Sequence, residues 1–145
     1  MKRTIFSWIF PLLVLAVLTL PGCSAKSAAT AEDFQQAAES VGYTVEEQDS
    51  GDIVSIHMAT KDDSAIVFYV CDSEQEAKTA LTNLRSNLPE DVDPEHVDSS
   101  YYARYTGEND ESYYSLIRMG DTVLAAAVEL SEKENVQSVV SELGY

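Results

Sequence analysis

Apolar residues recur at helical spacing in three segments of the chain. The first segment begins after Thr30, a residue type that caps helices, and it carries acidic residues in its first turn. The second and third begin after Ser73 and Ser131, each of which precedes a glutamate by three residues, as in a capping box. We therefore predict three amphipathic helices. Their buried stripes are Phe34, Ala37, Ala38 and Val41; Ala77, Ala80, Leu81, Leu84 and Leu88; and Val136, Val139, Val140 and Leu143.

Between the predicted helices, apolar residues alternate with polar ones, as is typical of strands with one buried face. The segment 65–71 is apolar on both faces and predicts a central strand that is covered on both sides. The order α-βββ-α-βββ-α, with short turns between successive strands, predicts an α+β fold in which helices pack on an antiparallel sheet. Strands are predicted at residues 43–48, 52–60, 65–71, 99–106, 112–119 and 121–130.

The N-terminal apolar run, residues 5–20, follows two basic residues and has the form of a secretory signal. Its length is short for a membrane-spanning helix, which needs about 20 apolar residues. The alternative is an uncleaved N-terminal anchor. The sequence Leu20-Pro21-Gly22-Cys23 at the end of the run resembles the lipobox of bacterial lipoproteins, although Pro21 is a less usual residue at its place.

This resemblance implies that the chain is cut before Cys23 and that lipid, palmitate included, is attached to this cysteine. Two or more acyl chains hold a protein firmly on a membrane, whereas one does so only marginally. We therefore predict a lipoprotein signal peptide at residues 1–22, a lipidated cysteine with a flexible tether at 23–30, and a single domain at 31–145. The predicted location is the extracytoplasmic side of the cell membrane.

The charge balance excludes some classes of partner. Without residues 1–22 the chain keeps seven basic and 25 acidic residues, a net charge of −18. Nucleic-acid binding needs a basic surface, so we predict no nucleic-acid partner. The same charge opposes a flat association of the domain with anionic lipid. With Cys23 lipidated, Cys71 is the last cysteine, so no intrachain disulfide is expected.

Two segments of the predicted domain carry a second, weaker resemblance. The opening "AEDFQQAAESVGYTV" and the closing "ELGY" are similar to small lipoproteins of Firmicutes whose function is unknown. The resemblance implies no activity.

A tyrosine-rich hairpin between residues 101 and 117 is the main candidate for a contact surface. With residues 107–110 as its loop, Arg104 lies opposite Tyr113, and cross-strand aromatic pairs of this kind also stabilise sheets. Rigid tyrosines beside an arginine suit the binding of a peptide or a glycan. We predict that Tyr102, Arg104 and Tyr113 form a contact surface, whereas Tyr101, Tyr105 and Tyr114 belong to the core.

The other candidates for chemistry are weaker. A hairpin of residues 52–60 with 64–71 places Cys71 opposite Val54 and roughly 10 Å from His57, which favours a buried core cysteine over a nucleophile. The acidic segment 90–98 has oxygen ligands for calcium at alternate positions but lacks the EF-hand glycine, which favours a solvated loop. With 25 acidic residues, some pair of carboxylates is inevitable and therefore not diagnostic of catalysis.

These observations together predict a non-catalytic binding or interaction module for a protein, peptide or other envelope component, without cofactor or metal. Two alternatives stay open. One is an envelope hydrolase that works through carboxylates or Cys71, and the other is a purely accessory subunit of an envelope complex.

Overall fold

The computed structural model describes residues 27–51 and 53–145, and within these it contains three helices and seven strands. The predictions for residues 1–22 and for Cys23 lie outside the described residues. A short 3₁₀ turn, Leu130–Glu132, precedes the last helix. The helices are α1 (Ala31–Ser40), α2 (Glu74–Ser86) and α3 (Lys133–Glu142), and the strands are β1 (Thr44–Gln48), β2 (Ser55–Lys61), β3 (Ser64–Val70), β4 (Glu95–Asp98), β5 (Tyr102–Glu108), β6 (Ser112–Met119) and β7 (Thr122–Glu129).

All seven strands join one antiparallel sheet in the order β1-β2-β3-β7-β6-β5-β4. The α+β class and the packing of helices on the sheet are thus confirmed. Helices α1 and α3 lie together on one face, whereas α2 lies on the other face against β6 and β7. Because the strands alternate their side chains between two covered faces, the sheet has a separate hydrophobic core on each side.

The core under α1 and α3 is the larger of the two. Phe34 of α1 stacks on Phe68 of β3 with ring centroids 5.1 Å apart, and Val136 and Val139 of α3 are fully buried beside them. The core under α2 contains Leu81 and a second set of strand residues. Strand β3 is central but differs from its prediction, because α2 lies over β6 and β7 and leaves the α2-side residues of β3, such as Val67, only partly buried.

The beginnings of α1 and α2 agree with the sequence analysis. Thr30 and Asp33 form a complete capping box, and the Ser73 hydroxyl accepts a hydrogen bond from the Glu76 amide. The capping box predicted at Ser131 is wrong. Its hydroxyl donates to a carboxylate oxygen of Glu129 instead, because the chain makes a 3₁₀ turn there before α3 begins.

Strand β4 is absent from the predicted order. It pairs with β5 at the edge of the sheet, and all four of its residues are exposed. An edge strand with charged, exposed side chains lacks the alternation that indicates a strand, and such strands resist pairing with other chains. Part of the acidic segment 90–98 is therefore strand, not loop.

The tyrosine hairpin has a different register from the predicted one. Arg104 pairs with Ile117, not with Tyr113, and the connecting loop is residues 109–111. The partner of Arg104 is thus displaced by four positions. Since side chains alternate with a period of two, an even displacement keeps every residue on its predicted face.

Gly107 explains why the hairpin is longer than predicted. It lies inside β5, where an added Cβ would stand 2.6 Å from a methyl group of Val92 and 3.3 Å from the Cα of Pro94. The segment before β4 crosses the strand at this point, and only a residue without a side chain permits so close an approach. Gly107 therefore belongs to the sheet, not to the turn.

The last residues of the predicted tether lie against the domain. The amide of Ala28 donates to the Tyr101 hydroxyl at 3.2 Å, and the amide of Ala29 donates to the Tyr145 hydroxyl at 3.0 Å. Ala29 also packs on the core under α1 and α3. In the described part of the chain, no helix is both long and apolar enough to cross a bilayer.

Candidate functional site

A groove of about 330 Å³ lies between α3 and the β5–β6 hairpin, and we name it the α3 groove. Its rim carries Arg104, which is exposed, and its floor includes the buried Ile117. The groove is lined by Arg104, Thr106, Tyr113, Ser115 and Ile117 of the hairpin and by Gln137, Val140, Ser141 and Tyr145 from α3 and the chain end.

The predicted contact residues share the face that borders this groove but differ in exposure. Arg104 is exposed and Tyr102 is half-buried. Tyr113 is only 6% exposed, and the ammonium of Lys133 lies 5.4 Å from its ring centroid. Helix α3 covers the Tyr113 end of this face, so Tyr113 forms a buried wall of the groove and not an open platform.

Of the three tyrosines predicted for the core, only Tyr105 is fully buried, and Tyr114 is half-buried. The prediction for Tyr101 is wrong, since this residue is 38% exposed. Tyr101 precedes β5, and its ring lies over the turn at Gly120, where an added Cβ would stand 3.0 Å from the ring. The Tyr101 ring therefore covers this turn.

Ser115 gives the α3 groove an unusual polar atom. The residue is 1% exposed, and its hydroxyl oxygen has no hydrogen-bond partner within the described ranges. A buried hydroxyl without a partner costs roughly 1–3 kcal/mol. A polar group of a ligand in the groove would offset this cost.

A second cavity, of about 350 Å³, lies on the opposite face of the hairpin, between α2 and the turn that joins β4 to β5. We name it the α2 cleft. It gathers Lys78, Arg85 and Arg118, three of the seven basic residues that follow position 22, and Asp98 is the one acidic residue in its lining. The remaining lining residues are Leu81, Thr82, Ser99, Ser100, Ala103 and Tyr105.

Arg118 is the central residue of the α2 cleft. It is 1% exposed, and its guanidinium donates to the carbonyl oxygens of Tyr101 and Ser99 at 3.0 Å and of Ser100 at 3.3 Å. Within residues 27–51 and 53–145, no carboxylate forms an ion pair with it, and its Nε has no hydrogen-bond partner. The cleft thus contains a buried cation that forms no direct ion pair within the described ranges and is stabilised by three carbonyl dipoles.

The outer wall of the α2 cleft is aromatic and cationic. The guanidinium carbon of Arg85 lies 4.7 Å from the ring centroid of Tyr105. The same ring stacks on His96 of β4, with centroids 5.7 Å apart. These contacts restrict Arg85 to the mouth of the cleft, where its charge adds to that of Arg118.

Cys71 lies at the edge of the core under α2 and is 4% exposed. Burial raises the pKa of its thiol, and the nearby carboxylates of Glu76, Asp121 and Asp72 raise it further. A nucleophilic cysteine needs a thiol pKa that is lowered. His57 lies on β2 opposite Phe68, on the α1 and α3 side of the sheet. The structure therefore supports a core role for Cys71.

The acidic segment 90–98 contributes to the structure mainly through β4 and Val92, which is 6% exposed. Among the described residues, no group of three or more histidine, cysteine, aspartate or glutamate side chains is arranged to hold a metal ion.

The chain matches no family model, no curated protein and no solved structure. The assignment of a function therefore rests on the residues themselves.

Sequence reasoning missed the α2 cleft. Arg118 occurs in the run "YYSLIRMG", where one charged residue among apolar ones indicates an exposed position on a strand. The available signal was the even spacing from Leu116 and Tyr114, which places Arg118 on a face that a helix covers. A basic residue on a covered face requires a polar surrounding.

Proposed function

We propose that this chain is a lipid-anchored, extracytoplasmic lipoprotein that acts as a non-catalytic binding module for a protein, peptide or other envelope component. The observation that carries the proposal is the α3 groove, where the exposed Arg104 stands at the rim above a partly apolar floor and an unpartnered Ser115 hydroxyl. Ligand sites generally combine such apolar walls with a few polar groups that fix orientation.

The composition of the groove suits an extended peptide segment. Ile117 and Val140 can accept an apolar side chain, while Arg104 can bind a carboxylate or a backbone carbonyl of the partner. Tyr113 acts as a rigid wall under Lys133, so its side chain loses little entropy when a partner binds. In this proposal Arg104 makes the direct contact at the groove, Tyr102 extends the contact along the same face of β5 outside the groove lining, and Tyr113 shapes the groove.

A photo-crosslinking experiment in cells tests the proposed contact. A crosslinking residue at Gln137, which lines the groove, should give a discrete adduct, and Arg104→Ala should abolish that adduct. Thr60 is the matched control position, because it is exposed on β2, away from the groove. Equal adducts from both positions, or an adduct that does not depend on Arg104, would contradict the proposal.

The anchor is tested separately. Cys23→Ser should leave a precursor that resists lipoprotein-specific processing and no longer fractionates with membranes as a cut product. Quantitative membrane association of a correctly cut Cys23→Ser product would show that the lipobox interpretation is wrong.

A further inference from the structure

We propose that the α2 cleft is a binding site for a phosphate group. This site lies on the opposite face of the sheet from the α3 groove, so the inference goes beyond the proposed function and does not depend on it. Arg118 forms the base of the site, and Lys78 and Arg85 of α2 form its mouth.

The first argument is charge. The cleft gathers three cations and one carboxylate, a local charge of +2, in a chain whose net charge is −16. A phosphate monoester carries about −1.5 to −2 at pH 7, which matches this local charge. A carboxylate would leave one positive charge without compensation. The rest of the chain is acidic and repels anions. The cations gathered in the cleft therefore favour the binding of an anion there.

The second argument is the state of Arg118. A buried ion without a counter-ion costs several kcal/mol, and three carbonyl dipoles offset only part of this cost. The unpartnered Nε shows that the guanidinium is incompletely satisfied by the protein. An anion in the cleft would supply the missing opposite charge.

The third argument is the turn that Arg118 holds. Its three bonds fix the backbone of Ser99, Ser100 and Tyr101, and the Ser99 hydroxyl donates to the Tyr102 carbonyl at 2.9 Å. This turn forms one wall of the cleft and α2 forms the other. A site with walls fixed before binding loses less entropy when a ligand enters.

The test uses the full chain, purified in a non-ionic maltoside detergent, with inorganic phosphate as the probe at constant ionic strength. Phosphorus NMR should show saturable line broadening of the phosphate signal. Lys78→Gln combined with Arg85→Gln changes only cleft-mouth side chains and should weaken binding by roughly tenfold or more. Lys61→Gln, which removes one positive charge outside the cleft, from β2 at its ion pair with Glu132, should leave binding unchanged.

Arg118→Met should also abolish the broadening, but this variant can fail to fold, so the double variant decides the outcome. Absence of saturable broadening, an unchanged double variant, or displacement of phosphate by equimolar acetate would overturn the proposal. A short-chain phosphatidic acid and a short-chain phosphatidylcholine distinguish the sources of the phosphate group. Displacement by the first alone assigns a lipid headgroup, and displacement by neither assigns a soluble phosphate compound.

Discussion

The α3 groove and the α2 cleft lie on opposite faces of the same hairpin, and the hairpin contributes to each one arginine that is held in a different way. Arg104 is exposed at the rim of the groove, where water solvates its charge. Arg118 is buried under α2 and donates to three backbone carbonyls. We expect that the first can be removed without disturbing the fold, whereas the second is part of it. One pair of strands thus carries an exposed, solvated arginine and a fixed structural charge.

The largest expected effect comes from the two arginines. Arg118→Met should lower the free energy of unfolding by about 3 kcal/mol, because it leaves the carbonyls of Ser99 and Ser100 without their donor, although the Tyr101 carbonyl keeps the Gly120 amide. Arg104→Met should change it by less than about 0.5 kcal/mol, as is usual for exposed positions. Urea denaturation of both variants measures this difference. Equal decreases in the free energy of unfolding for the two variants would show that Arg104 also stabilises the fold.

Cys71→Ala tests the core on the α2 side. We expect a loss of roughly 1–2 kcal/mol, because the substitution removes a buried sulfur and leaves a small cavity. The native thiol should also react slowly with an alkylating reagent at neutral pH, since burial raises its pKa. Rapid labelling of the folded protein, compared with the unfolded chain, would contradict this burial.

Ser115→Ala tests the polar atom of the α3 groove. Removing a buried hydroxyl without a partner should leave stability unchanged or raise it by up to about 1 kcal/mol. Ser64→Ala is a useful comparison, because the Ser64 hydroxyl accepts a hydrogen bond from the Glu129 amide at 3.3 Å and its loss should destabilise the protein. A clear destabilisation by Ser115→Ala, measured by thermal melting, would mean that its hydroxyl is satisfied in solution.

The smallest effect is on the loss of stability at alkaline pH, which is compared between a tyrosine on each face of the sheet. Burial and the nearby Glu132 carboxylate raise the pKa of Tyr43, and burial raises that of Tyr69 on the α2 side. A raised folded-state pKa contributes stability that is complete below the unfolded value, about 10, and is lost as the pH rises above it. Tyr43→Phe should therefore reduce the fall in stability above pH 10, and at neutral pH it should cost only the hydrogen bond that the Tyr43 hydroxyl donates to Glu132.

Equilibrium denaturation at several pH values measures this slope for Tyr43→Phe and for Tyr69→Phe. The larger change should come from Tyr43, whose pKa is the more strongly raised of the two. A larger change from Tyr69→Phe would show that the loss of stability at alkaline pH arises on the α2 side of the sheet.

Local sequence patterns predicted much of the fold because the decisive interactions are local. Thr30 caps α1 through Asp33, three residues away, and the faces of the hairpin follow from simple alternation. The faces were correct even though the register was not, because the displacement was even. The prediction accordingly places the hairpin residues of the α3 groove on one face, but it does not include the wall that α3 and the chain end supply.

The features that escaped prediction depend on distant parts of the chain. Arg118 can be buried because carbonyls 17 to 19 residues earlier accept hydrogen bonds from its guanidinium, and no periodicity contains that information. Strand β4 exists because β5 offers it an unpaired edge, although its own four residues indicate a solvated loop. Tyr113 was expected to be open, but α3 returns from the end of the chain to cover it.

The contact between Ala29 and Tyr145 brings the two ends of the domain side by side. The fold is in this sense nearly circular, so a linker of roughly four residues could join residue 145 to residue 27. New termini would then fit best at the exposed turn between β2 and β3, residues 62–63. The rearranged chain would keep every strand pairing of the sheet. The closeness of the two ends thus predicts that the domain tolerates circular permutation.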